Sequence, residues 1–395
     1  MSAIEPASTK TMLLNMGPSH PSTHGVIRIT LELEGEKVLK ADVEMGYLHR
    51  GFEKTCENVT YCQVVPYTDR LNYVSPLINN VGYCLAVEKL LGVDATERAK
   101  YIRVIMSELS RLTDHLTCIA ANAMELGAFT VYFYFMQARE VLYEVIEKVT
   151  GHRLTVNYVR VGGLARDIYD GFEEDVRKAF VTVRGYIVDV EKLLSRNRIY
   201  YDRMREVSAI SQDDAISLGF TGPCLRSTGV NYDVRKAHPY LVYDRMNFDV
   251  PLGDKGDNYD RYLVRIEEMR QSMRIVEQAL KQIPQGPINI SDPSIIMPPK
   301  KEVYGSIEGL MNQFKLVTEG IKPPKGEVYF SVEGGNGELG FYVVSDGTGR
   351  PYRVRVRPPC FLLLQGLSKM IVGGLVADIV ATFGMINMIA GENDR

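Results

Sequence analysis

The stretch "DATERAKYIRVIMSELSRLTDHLTCIAANAMELG", Asp94 to Gly127, constrains the fold most. Ile102, Ile105, Leu109, Leu112, Leu116, Ile119 and Ala123 recur at intervals of three and four, the period of one helical face. Asp94 is placed to cap the helix, Glu97 to complete a capping box, and Gly127 to stop it. A helix of about thirty residues is about 45 Å long. It must therefore cross a whole domain and be covered by other helices along its length. Helical periods near 131–150, 173–195 and 259–282 supply that cover.

The flanks read differently. "GVIRITLELEGEKVLKADVEM" alternates apolar and polar side chains around a turn at Glu34-Gly35-Glu36, which predicts a β-hairpin. Helices are expected between Glu53 and Leu91. "QIPQGPINISDPSIIMPPKKE" holds five prolines without a period and reads as a linker. Beyond it come a predicted helix near 303–319 and strands at "GEVYFSVEG", "GELGFYVVSD" and "PYRVRVRP", then an apolar helical tail. The fold class is therefore α+β. A central, mainly α-helical bundle at 56–285 stands between a small N-terminal β-rich lobe at 1–55 and a C-terminal α+β lobe at 286–395.

Composition excludes several functions. A net charge of −3 with no basic block argues against nucleic acid as a partner. No two of the six cysteines form a C-x-x-C pair, so neither a zinc nor an iron–sulfur site is expected. "MSAIEPASTKTM" lacks the apolar run of a signal peptide. Lys369 and Asp378 interrupt the apolar tail, which leaves no uncharged run of the ~18 residues that a membrane span needs.

Four segments stand out chemically. "NMGPSHPSTHGV" holds His20 and His24, and its prolines deny the helix on which an H-x-x-x-H pair would bind metal. Either this is a plain turn, or it exposes a histidine to a ligand. "LHRGFEKTCEN" carries Arg50, and "YTDRLNYVSPL" carries Asp69, Arg70, Tyr73 and Ser75. "RPYRVRVRPP" should face a core with Tyr352, Val354 and Val356 and turn three arginines outward. Asp378 inside the apolar tail needs a hydrogen-bond partner.

In order along the chain, "NMGPSHPSTHGV", "GYLHRGFEK", "PYTDRLNYVSPL", "GFTGPCLRSTGVNYDVRK", "YDRYLVRIEEMRQS", "SDGTGRPYRVRVRPP" and the terminal "GENDR" resemble the D-subunit family of NADH-quinone oxidoreductase, respiratory complex I. That family is related to the large subunit of nickel–iron hydrogenases, which hold nickel with two C-x-x-C pairs. The resemblance places the early pair at Asn72 and Ser75 and the late pair at Val380 and Phe383. None is Cys, and soft metals need thiolate, so no metal is expected here. The resemblance implies that the vacated hollow takes a quinone headgroup. His24 and Tyr73 would flank it, and Ser75 and Val380 would line it. Glu125 would pair with the histidine where relatives often have Asp. Arg50 and Arg70 would stand near an iron–sulfur cluster held by the neighbouring B subunit, and FMN and NADH would bind elsewhere in the complex. Glu125 and Asp378 would form a buried polar path that reprotonates the site. Thr155 stands where relatives often carry a histidine near the cluster. The implied neighbours are the B and C subunits, other peripheral-arm subunits and the membrane-arm H subunit. The implied location is the cytoplasmic side of the bacterial inner membrane.

Overall fold

The computed structural model describes residues 11–395; the opening residues of the expected N-terminal lobe, including most of "MSAIEPASTKTM", lie outside them. The predicted hairpin is present as part of a three-stranded antiparallel meander: β1 (Met12–Met16), β2 (Arg28–Glu34) and β3 (Lys37–Glu44). Gly35 takes the left-handed turn between β2 and β3 with φ 62°, a conformation open to glycine at little cost. Ile29, Leu31 and Leu33 point inward and are buried.

Helices then follow: α1 (Phe52–Cys56), α2 (Tyr61–Thr68), α3 (Pro76–Leu91), α4 (Glu97–Glu125) and α5 (Phe129–Thr150). A short ribbon of β4 (Val159–Arg160) and β5 (Gly163–Leu164) precedes α6 (Phe172–Leu194). Four short helices lead to α11 (Asn258–Gln282): α7 (Arg198–Met204), α8 (Gln212–Ser217), α9 (Gly222–Arg226) and α10 (Val234–Ala237). The proline-rich stretch 283–299 forms no helix or strand.

Two helix ends differ from the sequence reading. Thr96, not Asp94, caps α4, accepting the Ala99 N–H at 3.3 Å. Asp94 lies two residues too early and pairs with Lys100 at 3.4 Å instead. The helix expected near 303–319 breaks into α12 (Lys300–Gly305) and α13 (Ile307–Thr318). Ser306 is extended between them and caps α13 by accepting the Gly309 N–H.

The last part begins with the antiparallel sheet β6 (Gly326–Glu333), β7 (Glu338–Ser345) and β8 (Arg353–Arg357). It ends with α14 (Pro359–Ile371), α15 (Val376–Ile386) and α16 (Ala390–Asp394). In β8, Val354 and Val356 are buried as expected. Tyr352 precedes the strand and is 65% exposed, so it does not join the core.

Two apolar cores hold these elements. The larger joins α2 to α6, α11 and the sheet β6–β8. Val332 and Phe341 lie so close to Gly82 of α3 that a Cβ there would come within 2.9 Å of both. The smaller joins the N-terminal meander to α8, α9, α14 and α15, so the two ends of the chain share a core.

At the centre, α4 is buried all round and still carries ions. Arg103 pairs with Glu88 at 2.6 Å, with both side chains out of water. Glu108 takes Arg111 at 3.2 Å, Arg235 at 3.1 Å, and the Tyr243 and Ser272 hydroxyls at 2.7 Å each. Arg226 bridges Glu268 and Glu333. These buried charges are tolerated because each of them is paired.

Candidate functional site

The loop after β1 makes one 3-10 turn at Pro21–Thr23. His20 caps that turn, accepting the Ser22 N–H through Nδ1 at 3.2 Å. His20 is thus committed to holding its own loop. His24 follows in the left-handed region with φ 54°. Its Nε2 lies 3.3 Å from Glu125 Oε1, and its ring meets Phe383 edge-on at 5.3 Å between centroids. The His24 side chain is 41% exposed and that of Glu125 only 12%. Glu125 Oε2 is buried with no hydrogen-bond partner among the described residues. Gly384 makes room for it, since a Cβ there would stand 2.8 Å from that oxygen.

Tyr73 sits on a tight loop between α2 and α3. Asn72 ties the loop to itself: its Oδ1 accepts the Val74 and Ser75 N–H groups. Beneath the loop, Asn72 Nδ2 and Ser75 Oγ both donate to Asp114 Oδ2, at 2.9 and 2.8 Å. Tyr73 is 36% exposed, and its hydroxyl makes no hydrogen bond among the described residues. Partial burial, with Cys360 and Asp114 beside it, pushes its pKa above the ordinary 10. It is therefore a phenol, able to donate a proton, at any physiological pH.

The C-terminal segment crosses over this loop. Gly391 lies on the Arg70 and Leu71 carbonyls, where a Cβ would come within 2.3 and 2.8 Å. Ile389 packs with Val74 and Cys360. Asn387 Nδ2 donates to Asp114 Oδ1 at 2.8 Å. Asp394 accepts the Gly46 and Leu48 N–H groups, and its carbonyl meets His49 Nδ1 at 2.6 Å. Arg50 donates to the Arg70 carbonyl at 2.7 Å. Partial desolvation and the nearby Arg70 charge lower the Arg50 pKa. Arg50, Arg70 and Tyr73 thus come from neighbouring segments, and all three are exposed.

Other expected site residues sit elsewhere. The group that meets Asn72 and Ser75 is Asp114, whose other oxygen takes Asn387; neither Val380 nor Phe383 bonds to them among the described residues. Val380 is half-buried against the smaller core, and Phe383 reaches His24. Asp378 caps α15, accepting the Leu375 N–H at 3.1 Å, with Arg203 at 3.9 Å. No direct hydrogen bond links Asp378 to Glu125 among the described residues. Its apolar surroundings in sequence are explained by the helix start, which needs an acceptor. Among the described residues no cluster of three metal-ligating side chains occurs.

His24 and Tyr73 are set by opposite ends of one helical strip. Their anchors, Glu125 and Asp114, both lie on α4, 125 − 114 = 11 residues apart. That is three turns, so the two share a face, separated by about 16 Å along the axis. Between them Cys118 and Asn122 donate to the Gly384 and Ala381 carbonyls of α15. Sequence reading missed Asp114, Asn336 and Asn387. One signal for Asp114 was available: Glu108, Arg111, Asp114 and His115 interrupt the apolar period of α4 at helical spacing.

The family model described as "Respiratory-chain NADH dehydrogenase, 49 Kd subunit" matches residues 125–395. The NADH-quinone oxidoreductase D subunit 1 of Sorangium cellulosum is 59% identical over 98% of this chain and 96% of its own length. The NADH-quinone oxidoreductase D subunit of Geobacter sulfurreducens is 50% identical over 98% of this chain and 100% of its own length. A C/D subunit of Bdellovibrio bacteriovorus is 50% identical over 98% of this chain, which spans 69% of that relative.

Proposed function

Since the chain belongs to the D-subunit family of NADH-quinone oxidoreductase, we propose that its exposed Tyr73 face forms a quinone-reduction chamber together with the B subunit. Reduction of a quinone to a quinol takes two electrons and two protons. The electrons come from the iron–sulfur cluster of the B subunit, supplied by NADH through FMN elsewhere in the complex. This chain's part is to supply the proton donors. Tyr73 donates to one carbonyl oxygen of the headgroup, and His24 donates to the other. Glu125, whose buried Oε2 is without a partner among the described residues, stabilises the imidazolium form of His24 and returns a proton to it. Both donors serve one headgroup when the loop carrying His24 moves from Glu125 toward Tyr73. Arg50 and Arg70 place positive charge beside the incoming cluster, which favours its reduced form.

One observation carries the reading. A tyrosine hydroxyl without a partner among the described residues belongs to the same loop as Asn72 and Ser75, the positions where the resemblance places hydrogenase thiolates, and Asp114 and Asn387 now bond together behind those two positions. The neighbours are the B and C subunits, with the membrane-arm H subunit below, and the assembly lies on the cytoplasmic side of the inner membrane, coupling quinone reduction to proton translocation. No helix among the described residues is long and apolar enough to cross a membrane. The C/D relative supports a neighbouring C subunit. Replacing Tyr73 with Phe removes one oxygen and keeps the ring. In the assembled complex, quinone turnover should fall about a hundredfold while NADH oxidation by hexacyanoferrate(III) is unchanged. Normal quinone turnover would reduce this chain to a scaffold.

A further inference from the structure

Asp114 is fully buried, and it makes no ion pair among the described residues. Its two oxygens bond to two separate parts of the chain, and a third packs against them. Oδ2 takes Asn72 and Ser75 from the Tyr73 loop. Oδ1 takes Asn387 from the C-terminal segment. Gly335, in the β6–β7 turn, closes the third side: a Cβ there would fall 2.1 Å from Oδ2. Asn387 also donates to Asn336 Oδ1 at 2.7 Å, and Asn336 receives Arg265 at 3.3 Å. Thus one carboxylate and three amides, Asn72, Asn336 and Asn387, form the floor beneath Tyr73, and Arg265 reaches the hub through Asn336.

The chemistry of this floor fixes how many carboxylates it holds. Asn72 can only donate here, because its Oδ1 is occupied by backbone N–H groups. Asn387 Nδ2 also donates. An acceptor must lie between them, and a carboxylate accepts on both sides, whereas an amide accepts on one side only. A second carboxylate would face the first at hydrogen-bond distance and repel it. We infer that Asp114 is the positioning residue of the Tyr73 loop, and that this hub requires one carboxylate to accept between Asn72 and Asn387.

The inference rests on the reading that Tyr73 meets the headgroup, and its test separates the two. In Asp114→Asn the new amide faces Asn72 or Asn387 donor to donor. In Asn387→Asp two carboxylates meet. In the double variant, Asp114→Asn with Asn387→Asp, the amide oxygen at position 114 accepts from Asn72 and Ser75. The amide nitrogen there donates to the carboxylate at position 387, so the bonds about position 114 are remade with the roles exchanged; the bond not remade is the Asn387 donation to Asn336 Oδ1, which the new carboxylate faces instead. All three are measured in the assembled membrane complex, beside Tyr73→Phe. Each single variant should raise the quinone KM and lower kcat about tenfold or more, with hexacyanoferrate(III) reduction and assembly kept. The double variant should recover part of the loss in both quinone parameters and turn over quinone faster than either single variant. Rescue is the decisive readout, because a simple packing role would make two substitutions worse than one. Singles with normal kinetics, or a double no better than the singles in turnover or in assembly, would overturn the inference. If Tyr73→Phe turns over quinone normally while the rescue holds, the hub stands and the assignment of Tyr73 fails.

Discussion

Asp69 shows how burial alters a residue that sequence treats as ordinary. It is 2% exposed, and it accepts the Asn157 N–H at 2.9 Å and Asn80 Nδ2 at 2.7 Å. Burial outweighs those bonds and pushes its pKa up to about 6. It therefore holds the loop that carries Thr155 next to Arg70, on the face proposed for the B subunit. Threonine does not titrate in this range, so in the proposed assembly Asp69, rather than Thr155, would be the group that links the B-subunit cluster to pH. Above pH 7 Asp69 is ionised, and the cluster potential should be flat. As pH falls through 6 it gains a proton, a negative charge disappears, and the potential should rise, by no more than about 59 mV per unit for one proton and one electron. Redox titration by electron paramagnetic resonance at several pH values measures the slope. A steep slope between pH 7 and 8 would assign the coupling to another group.

Among the elements, α4 and α15 account for most of the site, and each is legible in sequence only in part. The three-and-four period of α4 shows its length and its burial. It does not show its partners, because the groups that meet Asp114 lie 39 to 273 positions away along the chain. The apolar tail reads as a helical run, and the resemblance puts the late cysteine positions of related hydrogenases at Val380 and Phe383 within it. In the fold Asn387 adopts φ 54° and ends α15, and the chain beyond it turns across the Tyr73 loop. His24 and Tyr73 are found through the resemblance, whereas the hub emerges only from geometry. Contact between α15 and α4 is close enough to test directly. At Gly384 a Cβ would stand 2.8 Å from both Asn122 Nδ2 and Glu125 Oε2. Gly384→Ala should displace Glu125 and cost about 1–3 kcal/mol by overpacking, read as a lower melting temperature together with slower quinone turnover. Unchanged values in both would show that the two helices are not packed as described.

At the scale of the whole molecule, the buried ion network sets the response to acid. Burial alone would raise the Glu108 pKa, but Arg111 and Arg235 pull it further the other way, from the ordinary 4.5 to about 2. Its folded pKa lies below the unfolded one. The stabilisation is therefore complete above about pH 4.5 and is lost as pH falls toward 2, an effect of about 3 kcal/mol for this group. Glu268 shifts the same way, with Arg226 and His115 overcoming its burial. Circular dichroism against pH should show the chain folded at pH 5 and unfolding cooperatively between about 4 and 2; Glu108→Gln should move that transition to higher pH. Outside the core, Ile307, Leu310, Phe314 and Val317 form an exposed apolar stripe along α13, a surface expected of a chain that works within an assembly. The most direct measurement of the central claim uses a photoreactive azidoquinone on the assembled complex, with the labelled peptides identified by mass spectrometry. Label should fall on the tryptic peptides Leu71–Lys89 and Thr11–Arg28, which hold Tyr73 and His24, and should disappear when excess unlabelled quinone competes. Competable label confined to other peptides or other subunits would contradict a quinone chamber on this face.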